Sequence, residues 1–201
     1  MQTLQVNSII ENSIAKAMSY EEYIALMAKL MAEGASTSTV PSEEMTLFTK
    51  LNYKRMIRLN KTIKIDGKYK EVVDAYKKKV TWLVLTESWC GDAAQILPVV
   101  NKIAEMSGNI SLRLVLRDEN IDLMDLCLTN GTRSIPKLLV IDEDYNIIDS
   151  FGPRPEAALN LVDDFREQYG KLTPEFKQYL QLWYNKDRGK SIVKDLLKLM
   201  T

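Results

Sequence analysis

The segment 80–88, VTWLVLTES, constrains the fold more than any other part of the chain. It is mostly apolar and rich in β-favouring residues, without the apolar and polar alternation of a half-exposed strand. Such a run is typical of a strand that is buried on both faces of a sheet. The segment is therefore predicted to lie inside a sheet that other elements cover on both sides.

Strand and helix patterns alternate around this segment. In chain order they are a short strand in TIKIDGKY (62–69), a helix at 70–79, the strand at 80–88, a helix from Cys90 to about Ser107 with Pro98 inside it, a strand at 110–118, a short helix at 120–131, a strand hairpin at 136–152 and a helix at 155–170. The order β-α-β-α-β-β-α predicts an α/β fold. Its sheet is expected to be mixed, with helices on both faces and an antiparallel hairpin at the edge.

The remaining residues at both ends of the chain are predicted to be helical. The segment SYEEYIALMAKLMAEG begins with a candidate N-cap, Ser19, and ends at Gly34. A second helix is predicted from about Ser42 to Asn60, and one or two amphipathic helices in the tail. The expected organisation is an N-terminal helical extension at 1–60, an α/β domain at 61–170, and a C-terminal helical extension at 171–201 that packs on the same unit.

Composition excludes several classes of function. Lys plus Arg and Asp plus Glu number 27 each, so no basic surface indicates nucleic acid binding. No apolar run approaches the ~20 residues of a membrane span. The chain has two cysteines and no histidine, which leaves no metal site and no Cys–His catalysis. No cofactor is expected, and the lack of a signal-peptide pattern at the N-terminus favours a cytoplasmic location.

The segment TESWCGDAAQILP, residues 86–98, carries the candidate chemistry. Trp89-Cys90-Gly91 falls at a strand-to-helix junction, and Pro98 follows eight residues after the cysteine. The later segment RSIPKLLVID contains Pro136, and Gly152 lies sixteen residues beyond it. At these offsets the sequence resembles the thioredoxin family over about residues 65–170. The helical flanks resemble the extensions of a bacterial thioredoxin-like subfamily.

This resemblance implies a thioredoxin-like three-layer α/β/α sandwich with Cys90 as the catalytic nucleophile. It identifies Pro136 as the cis-proline, and it places the backbone of Ile135 and Pro136 opposite the cysteine, where it pairs with the substrate. Trp89, Gly91 and Asp92 would complete the substrate-binding surface. A helix N-terminus also favours a thiolate, since its unpaired N–H groups and dipole stabilise an anion.

The motif departs from the family at three positions. Ala93 replaces the resolving cysteine, and Val84 falls where the family carries a buried acid. Asp92 replaces the usual proline, and its carboxylate is expected to raise the pKa of the thiol unless it is engaged in capping the helix. The remaining cysteine, Cys127, is interpreted mainly as an inert core thiol, with a distant resolving role as the alternative.

Charged residues at the same sheet edge are candidates for electrostatic tuning of the thiol. Parallel strands end at one edge, so Arg117 and Asp118 are expected near the Cys90 turn. Arg133 precedes the Ile-Pro segment and is a further candidate. Each of the three is also consistent with an ordinary surface charge.

Two functions remain open at this stage. One is a monothiol thiol–disulfide oxidoreductase, whose partners are protein or small-molecule thiols and disulfides and whose adduct an external thiol releases. The other is a redox-inactive module that binds a peptide or small ligand in the groove between Cys90 and Pro136. Peroxide reduction is disfavoured, because no proline precedes Cys90 in the pattern of the peroxidases of this fold. The oligomeric state stays open.

Overall fold

A four-stranded sheet forms the centre of the protein in the part of the chain that the structure, a computed structural model, describes, residues 2–40 and 42–201. Its strand order is β2-β1-β3-β4. β1 is parallel to β2 and antiparallel to β3, and β3 is antiparallel to β4. The sheet is therefore mixed, as predicted. The strands are β1 (Val80–Thr86), β2 (Ile110–Leu116), β3 (Lys137–Ile141) and β4 (Ile147–Phe151).

The central strand is buried on both faces. Successive side chains of a strand point to opposite faces, yet Leu83, Val84 and Leu85 of β1 are each at most 1 % exposed. Val84 aligns with Leu114 of β2 and with Leu138 of β3, both also at most 1 % exposed. Helices therefore cover the sheet on both sides, and the α/β fold class predicted from the alternation is confirmed.

Nine α-helices surround the sheet in the described residues. Their ends follow local chemistry: the Ser19 hydroxyl accepts from the Glu22 N–H while the Glu22 carboxylate accepts from the Ser19 N–H, and Gly34 ends the same helix in the left-handed region. The helices are α1 (Gln2–Ala15), α2 (Tyr20–Glu33), α3 (Glu43–Thr62), α4 (Lys70–Ala75), α5 (Gly91–Met106), α6 (Ile121–Asp125), α7 (Glu156–Tyr169), α8 (Pro174–Asp187) and α9 (Lys190–Lys198). No helix within the described residues is long and apolar enough to cross a membrane.

The prediction of a strand at 62–69 is wrong. Residues 63–66 have no regular structure, and a short 3-10 turn at Gly67–Tyr69 follows, where Asp66 accepts a hydrogen bond from the Lys68 N–H at 3.1 Å. The outer edge of β2 pairs with Met18 instead, through two 2.8 Å backbone hydrogen bonds with Leu114. The link between α1 and α2 thus supplies the edge partner, and a local pattern cannot reveal this long-range pairing.

The terminal helices share the core of the sheet. α3 packs against α2 and α5, and α9 packs against α5 and α7. Their inward side chains are as buried as those of the strands, since each of the following is at most 1 % exposed: Tyr23, Met27, Met56, Ile192 and Leu196. This packing brings α3 and α8 to the end of the sheet where α5 begins.

Candidate active site around Cys90

Cys90 lies where β1 passes into α5. The strand ends at Thr86, and Cys90 is the N-cap of the helix, so its Sγ accepts a hydrogen bond from the Ala93 N–H at 3.4 Å. This N–H is one of the donors that the first turn of a helix leaves without a backbone partner. The predicted helix with Pro98 inside it is confirmed. The thiol is therefore held at the positive end of α5.

The Ile135–Pro136 segment faces the thiol. The Ile135–Pro136 peptide bond is cis, and the Cys90 S–H donates to the Ile135 carbonyl at 3.4 Å. Gly152, which follows β4, lies against Pro136 with φ 114°, and a Cβ at this position would stand 2.2 Å from the Pro136 oxygen. Only glycine fits this contact without displacing the backbone. The Ile135–Pro136 segment thus contacts the Cys90 sulfur on one side and Gly152 on the other.

Burial dominates the electrostatics of this thiol. Cys90 is 8 % exposed, and desolvation raises the pKa of its thiol to about 12. The Asp92 carboxylate adds to the rise, whereas the N–H groups of Ala93 and Asp92 and the charge of Arg154 oppose it. The effect of Asp92 thus has the direction expected from the sequence, but burial is the larger cause. At neutral pH the resting thiol is protonated.

Asp92 is engaged by two side chains from outside the motif. Its Oδ1 accepts from the Tyr184 hydroxyl at 2.9 Å, and its Oδ2 pairs with the Arg154 guanidinium at 2.6 Å. Tyr184 belongs to α8, and Arg154 follows the second cis bond, Gly152–Pro153. The carboxylate, whose side chain is 11 % exposed, is thus compensated by an opposite charge and a hydrogen bond.

Two of the three candidate tuning residues lie beside the Cys90 loop. The Arg117 guanidinium stacks over the Trp89 ring at 5.0 Å and pairs with the Asp118 carboxylate at 2.8 Å. Arg133 is directed elsewhere: its guanidinium pairs with Asp125 of α6 through hydrogen bonds of 2.7 and 2.9 Å. Arg117 and Asp118 therefore hold the rim at Trp89, while Arg133 joins the loop before Ile135 to α6.

Cys127 is buried at the end of α6. Its S–H contacts the carbonyls of Leu123 and Met124 at 3.4 and 3.5 Å, within its own helical turn. Burial raises the pKa of this thiol to about 11. Both cysteines are free thiols. These contacts favour the interpretation of Cys127 as a core thiol.

The N-terminal extension holds the loop that precedes Cys90 through a buried polar network. Thr37 donates to the carboxylate of Glu87, which is completely buried and also accepts from the Asp118 N–H at 2.9 Å. The Ser88 hydroxyl is 2.7 Å from that of Thr49, and the Ser88 carbonyl accepts from Asn52 at 3.0 Å. Glu87 and Ser88, at the end of the predicted strand, are therefore buried in this network and are not surface residues.

Side chains of α3 and α8 also crowd Gly91. A Cβ on Gly91 would lie 3.3 Å from the Gln181 Nε2 and 3.7 Å from an Arg55 nitrogen. Gln181 in turn accepts from Gln95 of α5 at 2.9 Å. Both helical extensions therefore reach the motif, and they restrict the space over the substrate-binding surface predicted at Trp89, Gly91 and Asp92.

Sequence reasoning missed the partners that reach the motif from a distance. Arg154 had one available signal, because it follows Gly152 in the segment matched to the end of the last strand. Tyr184 and Gln181 had none, since they lie on an amphipathic helix outside the recognised motif. Thr37 lies in the loop between α2 and α3, which carries no motif.

The fold and the site define a class of protein: an α/β sheet protein with a thiol at a strand-to-helix junction, opposite a cis-proline. The family model described as Thioredoxin matches residues 39–166, more than half of the chain. The protein therefore belongs to the thioredoxin family. The match includes α3, although the sequence pattern places these residues in the N-terminal extension.

Two solved structures resemble the protein along most of its length. One is an HIV epitope scaffold, with a TM-score of 0.56 and 20% identity, covering 91% of this chain and 98% of that chain. The other is a protein of unknown function from Pseudomonas aeruginosa, with a TM-score of 0.51 and 19% identity, covering 89% of this chain and 99% of that chain. At these identities the likeness shows the fold alone. No curated protein matches the chain significantly in sequence.

Proposed function

We propose that the protein is a monothiol thiol–disulfide oxidoreductase that acts through Cys90 on mixed disulfides. The observation that carries this proposal is the position of the Sγ, 3.4 Å from both the Ala93 N–H nitrogen and the Ile135 carbonyl oxygen. The first contact stabilises a thiolate at the helix N-terminus. The second places the sulfur against the backbone that, by the family resemblance, receives an extended substrate.

The reaction requires one protein sulfur and two exchanges. The Cys90 thiolate attacks one sulfur of R–S–S–R′, forms the bond Cys90–S–S–R, and releases R′–S⁻, which takes up the proton that Cys90 lost. A small external thiolate R″–S⁻ then attacks the R sulfur, forms R–S–S–R″, and releases the Cys90 thiolate. The electrons balance without a second cysteine in the protein. The external thiol does the work of the resolving cysteine, whose position Ala93 occupies.

The surroundings of Gly91 favour small disulfides as substrates. Gln181 and Arg55 lie over the backbone at Gly91, where a protein chain would have to pass. A small disulfide needs less displacement of these side chains. The partners proposed here are therefore small thiols and their mixed disulfides first, and protein disulfides second.

The burial of Cys90 favours a second function, a redox-inactive ligand-binding module. A pKa of about 12 leaves almost no thiolate at neutral pH, and reactivity depends on the thiolate. In this case the thiol serves as a hydrogen-bond donor to Ile135. The two functions make opposite predictions for the chemistry of Cys90.

The deciding experiment measures adduct formation and turnover at Cys90. The full-length protein is mixed with 4,4′-dithiodipyridine between pH 6 and 9, and the adduct is located by peptide mass spectrometry. Cys90→Ser and Cys127→Ser variants separate the two thiols, and excess 2-mercaptoethanol tests release. If the protein is a monothiol oxidoreductase, we expect an adduct on Cys90 that forms faster than the one on Cys127 and is removed by the external thiol.

If Cys90 reacts no faster than Cys127, the oxidoreductase function is excluded and the ligand-binding module remains. An adduct that forms quickly but resists excess thiol would also contradict the monothiol cycle, because the second exchange would be missing. In either case, binding of an added ligand that protects Cys90 from alkylation would be the next observation to seek.

A further inference from the structure

A cavity of about 690 Å³ lies between α3, the segment 63–69 and the junction of α8 and α9. Its size falls in the range of small-molecule sites. Its inner surface is formed by buried side chains, among them Ile63 and Val193, which are 9 % and 5 % exposed, and Tyr184, which is 3 % exposed. The base of the cavity is thus apolar and aromatic.

The rim of this cavity is strongly basic. Five lining residues are cationic and only Asp66 is anionic, although the whole chain has 27 basic and 27 acidic residues. Asp66 is already paired with Lys68 at 3.1 Å. Within the described chain, none of the other four cations forms an ion pair: Arg58, Lys64, Arg188 and Lys190.

The basic rim is built from separate elements that the fold brings together. Arg58 lies on α3 and donates a 2.7 Å hydrogen bond to Asn185 at the end of α8. Lys190 begins α9, and Gly189 before it packs so closely on α5 that a Cβ would stand 2.9 Å from a Val99 methyl carbon. This contact holds the α8–α9 junction against α5. The cations converge on a concave surface, where like charges reinforce one another.

A solvated surface patch would not combine these features. Here four cations without an ion-pair partner in the described residues line one depression together with the apolar side chains of Leu59, Ile63, Ile65 and Val193. A second cavity, of about 450 Å³, has mixed lining charge, with Lys79 beside Asp142 and Glu143. The excess of cations is therefore not shared by this second cavity.

We propose that this cavity binds a small organic anion, with a phosphate or carboxylate group on an apolar or aromatic body. The body lies on the apolar base beside Tyr184, and the anionic group pairs with the cations of the rim. The site is separate from the thiol, but Tyr184 belongs to both, since its hydroxyl donates to Asp92. The proposal does not depend on redox activity of Cys90.

The test uses matched fluorescent and competing probes on the full-length protein. 8-Anilino-1-naphthalenesulfonate is titrated beside N-phenyl-1-naphthylamine, which has the same aromatic body without the charge. Displacement by 1-naphthyl phosphate, 1-naphthoate and neutral 1-naphthol then identifies the preferred group. We expect the sulfonate to bind and to be displaced by the phosphate or the carboxylate, but not by the alcohol.

Charge variants locate the binding. The triple variant Arg58→Gln, Lys64→Gln, Lys190→Gln should weaken sulfonate binding about tenfold, since each exposed charge makes a small contribution and the three contributions add. The control Lys50→Gln, Lys54→Gln, Lys78→Gln removes the same total charge from exposed positions outside the cavity and should change binding less than twofold. The single variant Thr62→Glu adds a carboxylate to the lining and keeps the test valid if the triple variant is unstable.

Several results would overturn the proposal. Equal binding of the neutral probe would mean adsorption to an apolar surface. Equal loss in both triple variants would mean a general charge effect. Retention of sulfonate affinity in Thr62→Glu and in the cavity triple variant would place the bound probe outside the cavity.

Discussion

The carboxylate of Asp92 lies between a thiol whose ionisation it opposes and a guanidinium that it pairs with. Burial of the carboxylate is tolerated because Arg154 and Tyr184 compensate it. The same arrangement exposes Cys90 to two charges of opposite sign, and both affect the pKa of its thiol. At the scale of single residues, burial is the main cause of the raised pKa of Cys90, and these two charges adjust that pKa in directions that substitution can change.

Asp92→Asn and Arg154→Gln should change Cys90 in opposite directions. Loss of the carboxylate lowers the pKa of the thiol and should raise its alkylation rate at pH 8 about tenfold, since one pKa unit is a factor of ten. Loss of the guanidinium should slow alkylation. Each variant breaks the buried pair and should lose about 3–5 kcal/mol of stability. Rates that move in the same direction would show that opening of the structure, not charge, controls the thiol.

Ionisation of the buried Glu87 carboxyl group should lower the free energy of unfolding as the pH rises. Burial raises the pKa of this carboxyl group, so the unfolded chain ionises first and stability is lost above the ordinary glutamate pKa of about 4.3. Glu87→Gln resembles the protonated form, since its amide can accept from Asp118 and donate to Thr37. It should stabilise the protein at pH 7.5 on the order of 1 kcal/mol, and not at pH 4, in urea unfolding.

The control for this experiment is Glu33→Gln, an exposed carboxylate at the end of α2. It should leave the free energy of unfolding nearly unchanged at both pH values. If Glu87→Gln is equally destabilised at pH 4 and pH 7.5, the ionised carboxylate does not lower the free energy of unfolding. The loss of stability would then come from lost hydrogen bonds.

At the scale of elements, α8 should control access to the motif. Gln181 lies over Gly91 and accepts a hydrogen bond from Gln95. Gln181→Ala removes this contact, worth about 1 kcal/mol, and should speed reaction of Cys90 with a bulky maleimide about fivefold, with a smaller effect on iodoacetamide. The neighbouring Leu182→Ala, at a position that is 67 % exposed, is the control and should change neither rate. An equal gain for both reagents would contradict a steric role for α8.

Helices and strands that have a local sequence pattern can be predicted from the sequence alone. The apolar run before Trp89 predicts β1, the helix predicted from Cys90 corresponds to α5, and Ser19 and Gly34 mark both ends of α2. The error at 62–69 has a different origin. A strand needs a partner, and the edge of β2 is paired with Met18, which belongs to a link between helices with no strand pattern.

The candidate site could likewise be predicted only in part, because some of its contacts have a sequence signal and others are long-range. Cys90, Ile135 and Gly152 stand at offsets that the family resemblance carries, and the structure brings them together. Tyr184 reaches Asp92 across 92 positions of the chain, from a helix whose pattern indicates only an amphipathic face. Such contacts depend on how helices dock on the finished sheet, and a local pattern contains no information about docking.

At the scale of the whole molecule, the sheet and the terminal helices form one core. Leu196 of α9 is 0 % exposed and belongs to the same apolar cluster as β1 and α5. A core that is shared in this way predicts cooperative unfolding, in which the extensions do not detach before the sheet.

Leu196→Ala should therefore weaken the whole molecule and not α9 alone. The cavity it leaves should cost about 3 kcal/mol. In native-state hydrogen exchange followed by mass spectrometry, the slowest peptides of α2, β1 and α9 should lose the same opening free energy, because they open together. Leu182→Ala, which removes the same atoms from an exposed position, should lose little. A loss confined to α8 and α9, with β1 unchanged, would show that the C-terminal helices unfold as a separate unit and that the active-site motif can be uncovered without unfolding the sheet.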